Sequence, residues 1–141
     1  MRQVSVIEEL WSEFRLPIRN ALHFRSGESY DVAIDPGSPG GLRVLDSFDL
    51  GDYVASHPDW ISEVDGMASV EMDDGGLLWA GDGAYGSEGF VARLRSDRTV
   101  VWAIFCTDSN PFTEIQTSGP HATFLSTSGV RITLHVDDPR G

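Results

Sequence analysis

The sequence predicts an α+β fold, with an N-terminal helix or helices packed on an antiparallel meander of about six strands. Three observations carry this expectation. Val4, Ile7, Trp11 and Phe14 recur at the 3-4-3 spacing of one helical face, with Leu10 widening the stripe. The second half is a series of short apolar or alternating runs, broken by Asp73-Asp74-Gly75-Gly76, Ser96-Asp97-Arg98, Gly119-Pro120 and Ser128-Gly129. Helix signals come first and strand signals follow, which is the α+β order.

The elements follow in turn. The first helix runs from Val4 to Phe14 with Glu8, Glu9, Ser12, Glu13 and Arg15 on its polar side, and Pro17 stops it because proline lacks the amide donor. Ala21-Leu22-His23-Phe24 is apolar but too short to show a period. Ser29 to Ile34 alternates as a short strand, and Asp35 to Gly41, with two prolines and three glycines, reads as a loop. Leu42 to Leu45 is strand-like, Leu50 to Ser56 forms a short helix capped by Asp49, and Asp59-Trp60-Ile61 begins another turn. Met67 to Met72 and Leu77 to Ala80 flank a hairpin. Phe90 to Leu94 alternates, and Thr99 to Phe105 is apolar on both faces and therefore central. Phe112 to Thr117, Ala122 to Ser126 and Val130 to Val136 complete the series.

At 141 residues the chain matches one domain with one core, and it is expected to be a soluble, cytoplasmic protein without a signal peptide or membrane span. Its single cysteine, Cys106, excludes an internal disulfide framework and thiolate-rich zinc binding.

Charge is the most informative property. There are 22 acids against 10 bases, every base is arginine, and the net charge is −12. Between Arg43 and Arg93 lie 49 residues without a base, carrying eleven acids: Asp46, Asp49, Asp52, Asp59, Glu63, Asp65, Glu71, Asp73, Asp74, Asp82 and Glu88. The other 92 residues hold eleven acids and ten arginines, so about one third of the chain carries −11 of the −12. Nucleic acids and anionic membranes are disfavoured as partners, since both are bound by clustered bases. A protein with a basic surface is favoured.

The chemical motifs fail their structural conditions. Gly81-Asp82-Gly83-Ala84-Tyr85-Gly86 satisfies G-x-G-x-x-G, but the following Ser87 to Arg95 reads as a strand where a dinucleotide site needs a helix. Asp73, Asp74, Asp82 and Glu88 lack the spacing of a calcium loop. His23, His57, His121 and His135 show no metal-binding grouping, no nucleophile elbow is present, and Cys106 ends the most apolar strand as a buried thiol. No catalytic residue, metal or cofactor is therefore expected. Ser109-Asn110-Pro111-Phe112 reads as a corner between strands.

Small acidic size, the stretch Gly86-Ser87-Glu88-Gly89-Phe90-Val91-Ala92, then Trp102 and Ser109-Asn110-Pro111-Phe112, make the chain similar to bacterial immunity proteins that neutralise polymorphic or contact-dependent toxins. Ile7-Glu8-Glu9-Leu10 leading to Leu16-Pro17 also resembles the SUKH immunity superfamily. That superfamily continues from its Leu-Pro into a helix and closes with a helix, whereas this chain continues into Arg25-Ser26-Gly27 and ends in strands. The resemblance implies inhibition of a cognate toxin by covering its active or substrate-binding surface. The charge pattern leads independently to a non-enzymatic inhibitor whose acidic face meets a basic one. Its expected partner-binding residues are Asp59, Trp60, Glu63, Glu71, Asp73, Asp74, Trp79, Asp82, Tyr85 and Glu88, the aromatic ones acting as anchors. The alternative expectation is a small ligand-binding or catalytic domain with a pocket between helix and sheet.

Overall fold

Ser5 opens the chain's first helix, α1 (Val6–Ser12), with a reciprocal cap. Its Oγ accepts the Glu8 amide and its own amide donates to the Glu8 carboxylate. Only Ile7 and Trp11 of the expected stripe are buried in the core, and the helix ends before Phe14, which adopts the left-handed conformation (φ 55°). That reversal sends Arg15–Pro17 out as a short strand, β1, so Pro17 sits in an edge strand and is not the helix stop.

The computed structural model describes residues 4–140. After β1 come β2 (Ala21–Phe24), β3 (Ser29–Ile34), a 3₁₀ turn at Pro39–Gly41, β4 (Leu42–Phe48) and α2 (Leu50–Ser56). Then follow β5 (Ile61–Glu71), β6 (Leu77–Gly83), β7 (Gly89–Leu94), β8 (Val100–Cys106), β9 (Phe112–Ser118), β10 (His121–Ser126) and β11 (Arg131–His135).

The expected helix-on-six-strands plan is corrected by this architecture. The protein is predominantly β, with an eight-stranded antiparallel sheet in the order β1-β5-β6-β7-β8-β2-β3-β4 and a three-stranded sheet in the order β11-β10-β9. Two helices of seven residues each are too small to form a layer equal to the large sheet. The N-terminal third supplies strands of its own, and β2 pairs with β8 to join two meanders edge to edge. Segments of three and four residues show no period, so their strand character comes from partners distant in the chain.

The large sheet is buried on both faces. On one face Leu22, Leu78, Val91, Trp102 and Ile104 meet Phe112, Phe124 and Ile132 of the smaller sheet. On the other, Phe90, Ala92, Ala103 and Phe105 meet Ile7, Trp11 and Leu50 from the helices. This double burial explains why β8 is apolar on both sides. Asp49 caps α2 by accepting the Asp52 amide, and α2 carries the chain from β4, at one edge of the sheet, towards β5 near the other. No helix among the described residues is long and apolar enough to cross a membrane.

Candidate functional site

β5 organises the acidic stretch. It is eleven residues long, so Glu63 and Glu71 are separated by about 26 Å at the usual rise of a strand. Apart from Trp79, the expected site residues consequently fall into two groups at opposite ends of β5. Asp59, Trp60, Glu63, Asp82, Tyr85 and Glu88 surround its start, while Glu71, Asp73 and Asp74 lie at the β5–β6 hairpin.

At the first end Asp59 and Glu63 are exposed, and Asp65 lies directly opposite Asp82 across the β5–β6 ladder. Arg15 pairs with Glu63 in the strand register, but its guanidinium bonds to Glu13 at 3.3 Å. Trp60 is 53% exposed and Tyr85 is 73% exposed. Trp60 is backed by a ring stack: His57 lies 4.8 Å from it and Tyr53 4.9 Å from His57. The Arg19 guanidinium continues this run between Tyr53 and Phe48, 3.8 Å from the Phe48 ring centre, and is itself held by Asp31.

Glu88 does not face a partner, because it is only 4% exposed. Its Oε1 accepts the Tyr85 amide at 3.3 Å and lies 3.4 Å from Ser62 Oγ, which accepts the Ala84 amide at 2.9 Å. Glu88 thus shapes the 84–87 turn that presents Tyr85, and Gly83 leaves room for it, since a Cβ there would collide with the Glu88 side chain. Trp79 likewise departs from its expected role as a free anchor. It packs among Trp11, Phe14 and Phe90, and its indole lies over Gly66.

At the hairpin Asp74 is already engaged. It accepts the Gly76 amide at 2.8 Å and pairs with Arg93 at 3.3 Å, and these contacts hold its carboxyl below the usual carboxylate range. Glu71 and Asp73 remain exposed.

Ion pairing divides the chain as sharply as composition does. Among the described residues, Asp74 is the one acid between Arg43 and Arg93 that has a salt bridge. Outside that stretch Glu8, Glu13, Glu28, Asp31, Asp35, Asp137 and Asp138 are all paired with arginines. Glu9, Asp97, Asp108 and Glu114, outside that stretch, also have no salt bridge among the described residues, so pairing is concentrated outside the base-free stretch without being complete there.

No family model, curated protein or solved structure matches the chain.

Three arrangements were invisible in the linear sequence. Phe14 is 51% exposed beside β5, although its spacing placed it on the buried helical face. His121 and His135 are cross-strand partners with rings 5.4 Å apart, brought together only by the β10–β11 register. His23 is fully buried with Nδ1 2.8 Å from Ser29 Oγ, while its Nε2 has no partner among the described residues. Cys106 is buried as expected, and burial pushes its thiol up to about 12. The glycine-rich segment is the end of β6 and the turn into β7, with no helix following it. No group of three or more His, Cys, Asp or Glu among the described residues is placed to hold a metal. Between α1 and α2 lies an open cleft of about 570 Å³ lined by Val4, Ile7, Phe48, Asp49 and Leu50, with Asp49 as its one carboxylate besides backbone and serine groups.

Proposed function

We propose that this protein is a non-enzymatic inhibitor of the immunity type, binding a basic toxin through the acidic end of β5. The observation that carries the reading is that Glu63, Asp65 and Asp82 have no salt bridge among the described residues, with the exposed Trp60 just before β5 and the exposed Tyr85 in the turn that follows β6. Acids held without local counterions raise the negative potential and accelerate encounter with a positive surface. The Trp60 ring, fixed by His57, then adds apolar contact at little entropic cost, and the Glu88-ordered turn fixes the backbone that presents Tyr85. The geometry moves the emphasis away from Glu88, Trp79 and Asp74, which serve the fold.

The test is capture from the native host with tagged wild type and with a Glu63→Lys, Asp65→Lys, Asp82→Lys variant, at about 0.05 M and 0.5 M NaCl. A single basic protein should be recovered with wild type, less at high salt, and lost with the variant. Wild type should also suppress the toxic activity of that protein once purified. A captured protein whose activity is unaffected, or capture that is equal with the variant, contradicts the proposal.

A further inference from the structure

We propose that the outer edge of β5 receives an extended, basic segment of the partner as an added antiparallel or parallel strand. This rests on the reading above that the partner is a basic protein, and it names how the partner is held.

The edge is open over most of its length. β1 covers only Ile61, Ser62 and Glu63, and the Val64 amide donates to the Phe14 carbonyl at 2.9 Å. No strand among the described residues pairs with the outer side of β5 beyond that point. The direction of the free groups follows from the hairpin. The Met72 amide donates across the turn to Gly76 O at 2.8 Å, so it points inward towards β6. Backbone groups alternate direction along a strand, so Val70 and Ala68 also point inward, while Ser69 and Glu71 present their N–H and C=O groups outward. These are the groups an incoming strand bonds.

Charge selects the occupant. Exposed edges are commonly blunted by lysine, proline or a bulge; β5 has no lysine or proline, and its one bulge lies at Met67, ahead of the regular stretch 68–71. A second copy of this chain pairing β5 on β5 would set acids against acids, because no base lies between Arg43 and Arg93. A strand bearing arginine or lysine satisfies both the backbone and the charge.

An apolar seat lies beside the same edge. Phe14 is held at φ 55°, a conformation unfavourable for a bulky residue, with its ring half exposed and 5.8 Å from Trp79. Met67, at the bulge between Gly66 and Ala68, is 54% exposed. One apolar side chain of the added strand would rest there, giving the alternation of basic and apolar residues that strand addition reads.

The experiment uses synthetic peptides of alternating arginine and valine, the same peptide N-methylated on its pairing edge, and an alternating glutamate and valine control. The arginine peptide should shift the amide resonances of Phe14 and of Met67 to Glu71, and slow hydrogen exchange at Ser69 and Glu71 about tenfold or more. N-methylation should weaken binding about tenfold, as should Ser69→Pro, which removes an outward N–H at an edge where proline is tolerated. The N-methylated peptide makes the same point on the unaltered protein if the proline variant melts early. Arginine-peptide binding that is indifferent to N-methylation, or that shifts only Asp59, Glu63 and Asp82, overturns the edge while leaving the acidic inhibitor standing. Equal binding of the glutamate peptide, or protection of Ser69 by self-association, also overturns it. Absence of both toxin capture and arginine-peptide binding with the wild-type protein removes both proposals.

Discussion

His23 shows how one side chain couples this fold to pH. It lies in β2 with its ring edge-on to Phe48, 6.2 Å between centres, and one nitrogen bonded to Ser29. Burial, and secondarily the nearby Arg19 charge, push its pKa down to about 3 from an ordinary 6.5. The unfolded chain therefore binds more protons than the folded one between those two values. Stability supplied by the neutral imidazole is complete above about pH 6.5 and falls on acidification, by about 1.4 kcal/mol per pH unit within the window. Urea unfolding between about pH 4 and pH 7 should show His23→Gln losing this part of the slope relative to wild type. Parallel curves for the two proteins would assign the slope to other groups. The sequence showed a histidine in an apolar tetrapeptide, but nothing in four residues reveals that both faces of the strand are covered. Cys106 was legible by contrast, because seven consecutive residues of β8 are apolar and a thiol at their end has little choice but burial.

At the scale of elements, local signals and long-range pairing differ in what they reveal. The boundaries of β3 and α2 were readable because each carries its own information: alternation in the one, an Asp49 cap in the other. β1 and β2 carry none, and they are strands because β5 and β8 offer them an edge. The β5–β6 hairpin was legible at its turn, yet the full length of β5 was not. Its large apolar residues Ile61, Val64, Met67 and Val70 recur every third position, which is not the period of a strand, although burial alternates along it from Ser62 to Glu71 across the bulge after Gly66. Gly66 makes this element testable. It stands opposite Gly81, and a Cβ on it would fall within the Trp79 indole. Gly66→Ala should therefore cost about 1–3 kcal/mol, with Trp79 fluorescence altered in the folded state. A variant as stable as wild type would mean that Trp79 can leave its seat freely, and that the Trp11–Phe14–Trp79–Phe90 cluster contributes little.

The whole molecule is governed by where its charge is left unpaired. The bias between Arg43 and Arg93 was plain in the sequence, but its division between the two ends of β5 was not, since that depends on an eleven-residue strand separating residues close in the chain. A net charge of −12 opposes compaction, and Asp65 and Asp82 are like charges set opposite each other across the ladder. Two consequences oppose each other when salt is added. Screening shortens from about 14 Å at 0.05 M to about 4 Å at 0.5 M, so self-repulsion weakens and the thermal midpoint should rise. The same screening removes the attraction for a basic partner, so association should slow. Asp82→Asn separates the effects at a single position: it should stabilise the free protein by about 0.2–1 kcal/mol at low salt, gain less than wild type from added salt, and associate more slowly with the basic partner. Thermal melts and association rates across that salt range measure both quantities. Should Asp82→Asn prove less stable than wild type at low salt, the facing carboxylates are not in repulsion, and the charge around β5 is accommodated by the fold instead of being held in reserve for a partner.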